Sequence, residues 1–189
     1  MLSLFAFAEE RSGRNPRIER LILRLAEGDS SSLGELYELI KTDIYAFALS
    51  KLANAEDAED ITHDTFVGIY KNAPMYQPMG KPLAWIFTME HNLIRRHVTV
   101  RGRTVSLDET VEIPDTGGDL AEKIVKSEFL RTLLSALDEE ERTVIALHIN
   151  SGLKHREIAR VLDKPLSTVL SKYNRAIKKL KSIVKEEKL

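Results

Sequence analysis

Residues 137–180 read LDEEERTVIALHINSGLKHREIARVLDKPLSTVLSKYNRAIKKL, and this stretch restricts the possible folds more than any other part of the chain. Asp138 followed by Glu141 has the pattern of a capping box, and Glu139 and Glu140 add negative charge to a first turn, where the helix dipole favours it. A helix is therefore expected to begin at Asp138, run through Val144, Ile145 and His148, and stop at Asn150-Ser151-Gly152, since glycine tolerates the left-handed backbone of a helix end. Lys154 to Leu162 is expected to form a second short helix with Ile158, Ala159 and Leu162 inward, broken by Asp163-Lys164-Pro165. From there Leu166, Val169, Leu170, Tyr173 and Ile177 recur at the spacing of one helix face. The opposite face carries Thr168, Ser171, Lys172, Arg175 and Lys179, hydroxyls and cations able to bond phosphates and base edges. Three helices with a short break before a basic last one is the layout of a helix-turn-helix that enters a DNA major groove.

The charge distribution agrees. From His148 onward there are 11 Lys and Arg against 4 Asp and Glu, a surplus of seven positive charges in a chain whose net charge is -1. Residues 108–141 hold the compensating excess, 11 acids against Lys123, Lys126 and Arg131. A solvated amphipathic bundle is the plain alternative for a basic helix, but such a face usually mixes in acids.

At 189 residues, 43% of them hydrophobic, the chain has room for one large or two small domains. The absence of cysteine excludes disulfides, thiolate metal sites and cysteine nucleophiles, and is compatible with a reducing cytoplasm. His63, His91, His97, His148 and His155 show no metal-ligand spacing, so neither metal nor cofactor is expected. The start, MLSLFAFA, is a poor signal peptide because it lacks a basic region and runs into Glu9-Glu10, and no run is long enough to span a bilayer. No phosphate loop, nucleophile elbow or kinase signature appears, so an enzyme is not expected.

The first half reads as a second helical domain. Ile18, Leu21, Ile22 and Leu25 mark a helix ending near Gly28. Ser32 and Glu35 suggest a capping box for the next, whose stripe is Leu36, Leu39, Ile40, Ile44 and Phe47. A third helix from Asn54-Ala55 carries Glu56, Asp57, Glu59, Asp60 and Asp64 outward and Ala58, Ile61, Thr65 and Ile69 inward. With Phe66 beside its charges it could dock on a basic partner, a solvated face being the alternative. A loop at 75–82 precedes a helix from Pro82, and together they gather Tyr76, Trp85, Asn92, Arg95 and Arg96. That set combines stacking groups with cations, as single-stranded nucleic acid requires, although a lone Trp is often core. Residues 101–120 lack any period, hold Pro114 and Gly117-Gly118, and read as an acidic linker.

Taken together, AEDITHDTF at 58–66 (with its leading Ala58), KPLAWIFTMEHNLIRR at 81–96 and the helix-turn-helix stretch, in this order, resemble bacterial RNA polymerase sigma factors of the compact extracytoplasmic-function (ECF) class, over about residues 29–181. The resemblance implies an all-α fold of two small helical domains joined by a flexible linker, the C-terminal one a helix-turn-helix. Residues 16–100 would be the domain that binds core polymerase and melts the downstream promoter element, 101–120 the linker through the RNA exit path, and 121–189 the domain that reads the upstream element. It further implies that Asp57, Glu59, Asp60, Asp64 and Phe66 dock on the polymerase clamp helices. Tyr76, Lys81, Trp85, Asn92, Arg95 and Arg96 would meet the downstream element, with a base flipped from the stack. Ser167, Thr168, Ser171, Lys172, Arg175, Lys178 and Lys179 would meet the upstream one, while the outer surface of that domain meets the polymerase flap. An anti-sigma partner and a cytoplasmic location are expected on the same ground.

Family members commonly have glutamine where this chain has His63, an alanine-arginine pair where it has Glu90-His91, and aspartate where it has Arg96. The reading that competes with a sigma factor is a dimeric helix-turn-helix regulator with the first half as effector domain. Such a regulator has no need of an acidic docking helix or of a melting loop.

Overall fold

The computed structural model describes residues 2–101 and 136–186, and every regular element among them is helical. The expected linker at 101–120, apart from Arg101, and residues 121–135 of the expected second domain lie outside the described residues.

Four helices build the first half: α1 (Leu2–Ala26), α2 (Ser31–Leu52), α3 (Ala55–Asn72) and α4 (Pro82–Arg101). Each lays one apolar stripe against the others. α1 gives Ile18, Leu21, Ile22 and Leu25, α2 gives Leu36, Ile40, Ile44 and Phe47, α3 gives Ala58, Ile61, Phe66 and Ile69, and α4 gives Leu83, Ile86, Phe87 and Ile94. Phe47 and Phe87 meet edge to face with centroids 5.5 Å apart, the arrangement that ring quadrupoles favour. Both are fully buried, so truncating either to alanine costs about 3–5 kcal/mol.

Helix starts follow local chemistry, with one difference from expectation. Asn54 caps α3, its Oδ1 accepting from the Asp57 amide at 3.0 Å. Ser32 and Glu35, however, form no capping box. Asp29 takes that place, its carboxylate accepting from the Ser31 amide at 3.1 Å, from the Ser31 hydroxyl and from the Ser32 hydroxyl at 3.0 Å. An ionised acceptor reaching all three groups outcompetes a serine hydroxyl, and Ser32 turns fully inward.

The second half comprises α5 (Glu139–Ile145), a wider π turn at Ala146–Asn150, α6 (His155–Val161) and α7 (Leu166–Glu186). The box expected at Asp138 is present: its side chain accepts from the Glu141 amide at 2.8 Å, and Glu141 Oε2 accepts from the Asp138 amide at 3.0 Å. The turn before α7 holds Asp163 at φ 51, a left-handed conformation that aspartate adopts more readily than most side chains. On α7, Val169 and Ala176 are buried and Leu166, Tyr173 and Ile177 half-buried. Leu170, expected inward, is 39% exposed, because it lies about 100° around the helix from Val169, beyond the edge of the buried stripe.

The two halves share one apolar core. Val144, Leu147, Leu153, Ile158 and Val169 belong to the same cluster as Ile18, Ile44 and Phe87, with α5 and the π turn against α2 and α6 against α4. At its edge Lys51 Nζ lies 2.9 Å from Glu139 Oε1, the Ser50 and Thr143 hydroxyls are 3.4 Å apart, and Lys81 Nζ lies 3.9 Å from Glu157 Oε1.

Candidate nucleic-acid and protein-docking surfaces

The outward face of α7 is set by the apolar stripe that buries its other side. Ser167, Leu170, Ser171, Asn174, Arg175, Lys178 and Lys179 are exposed and Thr168 is half-buried. No acid occurs between Leu166 and Ile183, so this face offers hydroxyls, an amide, one apolar side chain and cations. Two of its lysines are already engaged. Lys172 Nζ lies 3.1 Å from Asp138 Oδ2 and 2.7 Å from Glu140 Oε2, with its side chain only 16% exposed, and Lys179 Nζ lies 2.6 Å from Glu141 Oε2. Lys164 pairs with Glu140 as well. Lys164 and Lys172 together hold the Glu140 carboxyl down at about 2, and Glu140 with Asp138 raises the Lys172 ammonium. Lys172 and Lys179 thus tie α7 to the first turn of α5. Leu170 and Asn174 escaped the sequence reading because the periodicity put Leu170 inside and assigned no role to Asn174.

A second surface combines α4 with the loop before it. The Trp85 ring is half-buried against Tyr76, centroids 4.9 Å apart, and Tyr76 is itself buried. Asn92, Arg95 and Arg96 are exposed along the same helix, Asn92 and Arg96 following Trp85 and Met89 at i+7 and i+11 on one face. Lys81, also exposed, stands at the start of α4. Met75 and Met79 project from the loop, 71% and 75% exposed. Burial and the hydrogen bond to Glu19 push the Tyr76 phenol well above its ordinary value.

Of the residues where this chain departs from the ECF pattern on α4, Glu90 lies inside, fully buried, and His91 is half-buried with its ring 6.5 Å from Phe47. Burial, then Lys51 and Arg95, pushes the His91 imidazole down. Arg96 alone of the three is on the surface.

The third surface is α3. Glu59, Asp60, His63 and Asp64 are exposed, as expected for the acids. Asp57 and Phe66 are not. Asp57 is 6% exposed, with His97 Nε2 of α4 at 3.3 Å from its Oδ1, so the end of α4 turns it inward. Phe66 is 5% exposed and packs on Tyr37 with centroids 4.8 Å apart. Beside the acids runs a groove between α2 and α3 walled by Tyr37, Thr62, Phe66, Val67 and Tyr70, with the Tyr45 hydroxyl beneath it and no hydrogen-bond partner for that hydroxyl.

Two histidines considered as ligands in the sequence are packing elements. His148 and His155 stack with centroids 4.4 Å apart and both meet the Tyr173 ring edge-on, which locks the π turn and α6 to α7. Among the described residues no group of three or more potential ligands could hold a metal ion, and no helix is long and apolar enough to cross a membrane.

Two family models match the chain: Sigma-70 region 2 over residues 36–104 and Sigma-70, region 4 over residues 128–180. The chain is 30% identical over 149 residues to the ECF RNA polymerase sigma factor EcfG of Rhodopseudomonas palustris, covering 74% of this chain and 77% of that protein. It is 26% identical over 180 residues to the ECF RNA polymerase sigma factor SigK of Mycobacterium ulcerans, covering 90% of this chain and 95% of that one. Similar solved structures are the sigma factor RpoE in complex with the anti-sigma factor NepR from Bartonella quintana (TM-score 0.59, 24% identity, 80% of this chain and 96% of that one) and CnrH in complex with the cytosolic domain of CnrY (TM-score 0.60, 23% identity, 90% and 98%).

Proposed function

Because the chain belongs to the ECF RNA polymerase sigma factors, we propose a division of its promoter-directing work among the three surfaces described above. It is an alternative sigma factor that directs transcription. It acts by binding core polymerase and promoter DNA, with no active site of its own, in the cytoplasm and in response to stress. Glu59, Asp60 and Asp64 on α3, with the aromatic groove beside them, dock on the clamp helices of the polymerase; buried Asp57 and Phe66 shape that face from below. The loop with Lys81, Trp85, Asn92, Arg95 and Arg96 meets the downstream element and holds a base out of the stack. Ser167, Thr168, Ser171, Arg175 and Lys178 meet the upstream element, joined by Leu170 and Asn174, while Lys172 and Lys179 hold the reading helix at its angle. An anti-sigma factor is a further partner, in line with the complex with the anti-sigma factor NepR in which the similar RpoE structure was solved.

The observation that carries this reading is the exposed, acid-free face of α7 on the same chain as an exposed acidic face on α3. A dimeric regulator has no use for the second of these and is not favoured. The test is in vitro transcription by core polymerase with this protein over a random promoter library. Selected transcripts with two conserved elements are expected. The absence of both core binding and promoter-specific transcripts would refute the assignment.

A further inference from the structure

The loop before α4 is closed by one oxygen atom. Glu19 Oε1, on α1, accepts the Tyr76 hydroxyl at 2.7 Å and the Gly80 amide at 2.9 Å. Gly80 has φ +68, where a side chain would be strained, and α4 follows with the Trp85 amide donating to the Lys81 carbonyl. Gln77, Pro78 and Met79 therefore form a short arch whose two feet stand on the same carboxylate. One foot is further fixed by the packing of Tyr76 on Trp85. Met75 and Met79 are the most exposed large apolar side chains among the described residues; Met79 belongs to this arch and Met75 stands just before its first foot. Soft, unbranched side chains held on a fixed support make an apolar surface against which the face of one unstacked base can be packed in a defined position. Glu19 lies before residue 36, where the region 2 match begins, and outside the three surfaces assigned above.

Taking the loop and α4 as the downstream-element surface, as assigned under the proposed function, we propose that Glu19 is the positioning residue of this surface. By stapling Tyr76 and Gly80 it sets the arch so that Met75 and Met79 bear on the unstacked base. Glu19 does not touch DNA; it decides where the residues that do are held.

The experiment uses the full chain with core polymerase on a promoter library randomised in both elements, scored as transcript yield for each base and as permanganate reactivity of melted thymines. Glu19→Ala should reduce base discrimination in the downstream element by about tenfold, the equivalent of losing one hydrogen bond to a charged acceptor. Core affinity and upstream discrimination should stay as in the parent. Glu19→Gln keeps an acceptor oxygen and should restore most of the discrimination, whereas Tyr76→Phe, which loses one foot only, should fall between. Unchanged discrimination in Glu19→Ala, or a loss in Glu19→Gln equal to that in Glu19→Ala, overturns the proposal. Replacing Gln77, Pro78 and Met79 by three glycines separates the two levels. If that change leaves downstream discrimination intact, the arch reads nothing and the role of Glu19 falls, while the exposed face of α4 keeps its assignment. If it abolishes discrimination while Glu19→Ala does not, only the role of Glu19 falls.

Discussion

Replacing Glu90 by glutamine should make the protein more stable, by an amount that grows with pH. Glu90 sits on α4 with no exposed surface, and neither of its carboxyl oxygens has a hydrogen-bond partner. Burial, and then the negative charge of Asp43 on α2, raise its carboxyl well above the usual range, an effect that the Ala48 backbone offsets only in part. Asp43 itself is paired with Arg14 of α1, so the ionised neighbour is held in place. In the unfolded chain Glu90 releases its proton near pH 4.5, while in the folded protein it keeps it. Folding above that pH therefore takes up a proton, and stability falls as pH rises, by about 1.4 kcal/mol per unit, until the folded-state carboxyl itself ionises.

Glutamine cannot ionise and has nearly the same shape, so Glu90→Gln removes this slope and leaves the packing of Ile86, Phe87 and Ile94 in place. Below about pH 4.5 the two proteins should be similarly stable, and two pH units inside the window the variant should lead by about 2.7 kcal/mol. Urea unfolding of both proteins at a series of pH values, with m compared to check that the unfolded states match, measures the difference. A gap that stays constant from pH 5 to pH 7 would show that Glu90 carries no proton into the folded state and would refute the reasoning.

Other consequences separate the surfaces. Arg175→Ala should weaken upstream-element binding by about 1–3 kcal/mol if the side chain reads a base, with no change in thermal stability. Lys172→Ala should do the opposite, costing about 1 kcal/mol of stability through Asp138 and Glu140, as a double-mutant cycle with Glu140 would show. Asp60→Ala should lower core affinity by about 1 kcal/mol, less at high salt, while leaving the affinity of the protein for isolated upstream DNA unchanged. Ser50→Cys with Thr143→Cys introduces the only two thiols of the chain where hydroxyls lie 3.4 Å apart. Oxidation should then join the two halves by a disulfide and raise the thermal unfolding midpoint until a reductant is added; an unchanged midpoint on oxidation would show that these two positions do not meet in solution.

The parts of this architecture legible in the sequence are those decided within a turn or two of helix. The Asp138 and Glu141 box, the Asn54 cap and the stripes of α2 and α3 all arise from neighbours in the chain. Where the outcome depended on a distant partner, the local pattern misled. Asp57 reads as one more acid on a solvated face, yet the far end of α4 covers it, with His97 Nε2 3.3 Å from its Oδ1. Lys172 reads as a free cation on a DNA face, yet its partners lie on α5. Glu90 enters the sequence only as a departure from the family pattern, and since burial of a lone carboxyl is rare, only the packing of α4 on α2 shows that it is inside. Glu19 gives no signal at all, since its role rests on a loop that returns to α1 from beyond α3.

The acids that cap α5 also determine what α7 can offer to DNA. Glu139, Glu140 and Glu141 are favoured where they stand by the helix dipole, and Glu140 and Glu141, with the capping Asp138, draw Lys164, Lys172 and Lys179 onto α5. Lys164 and Lys172, the cations nearest the start of α7, are thereby turned toward the protein, and its exposed first two turns are left with Ser167, Leu170 and Ser171. Free positive charge begins only at Arg175 and continues with Lys178 and Lys181. A helix charged in this way bears on the phosphates with its later turns and brings small polar and apolar groups to the base edges with its first. Sequence preference at the upstream element then rests on a few short side chains, and its affinity on the cations further along.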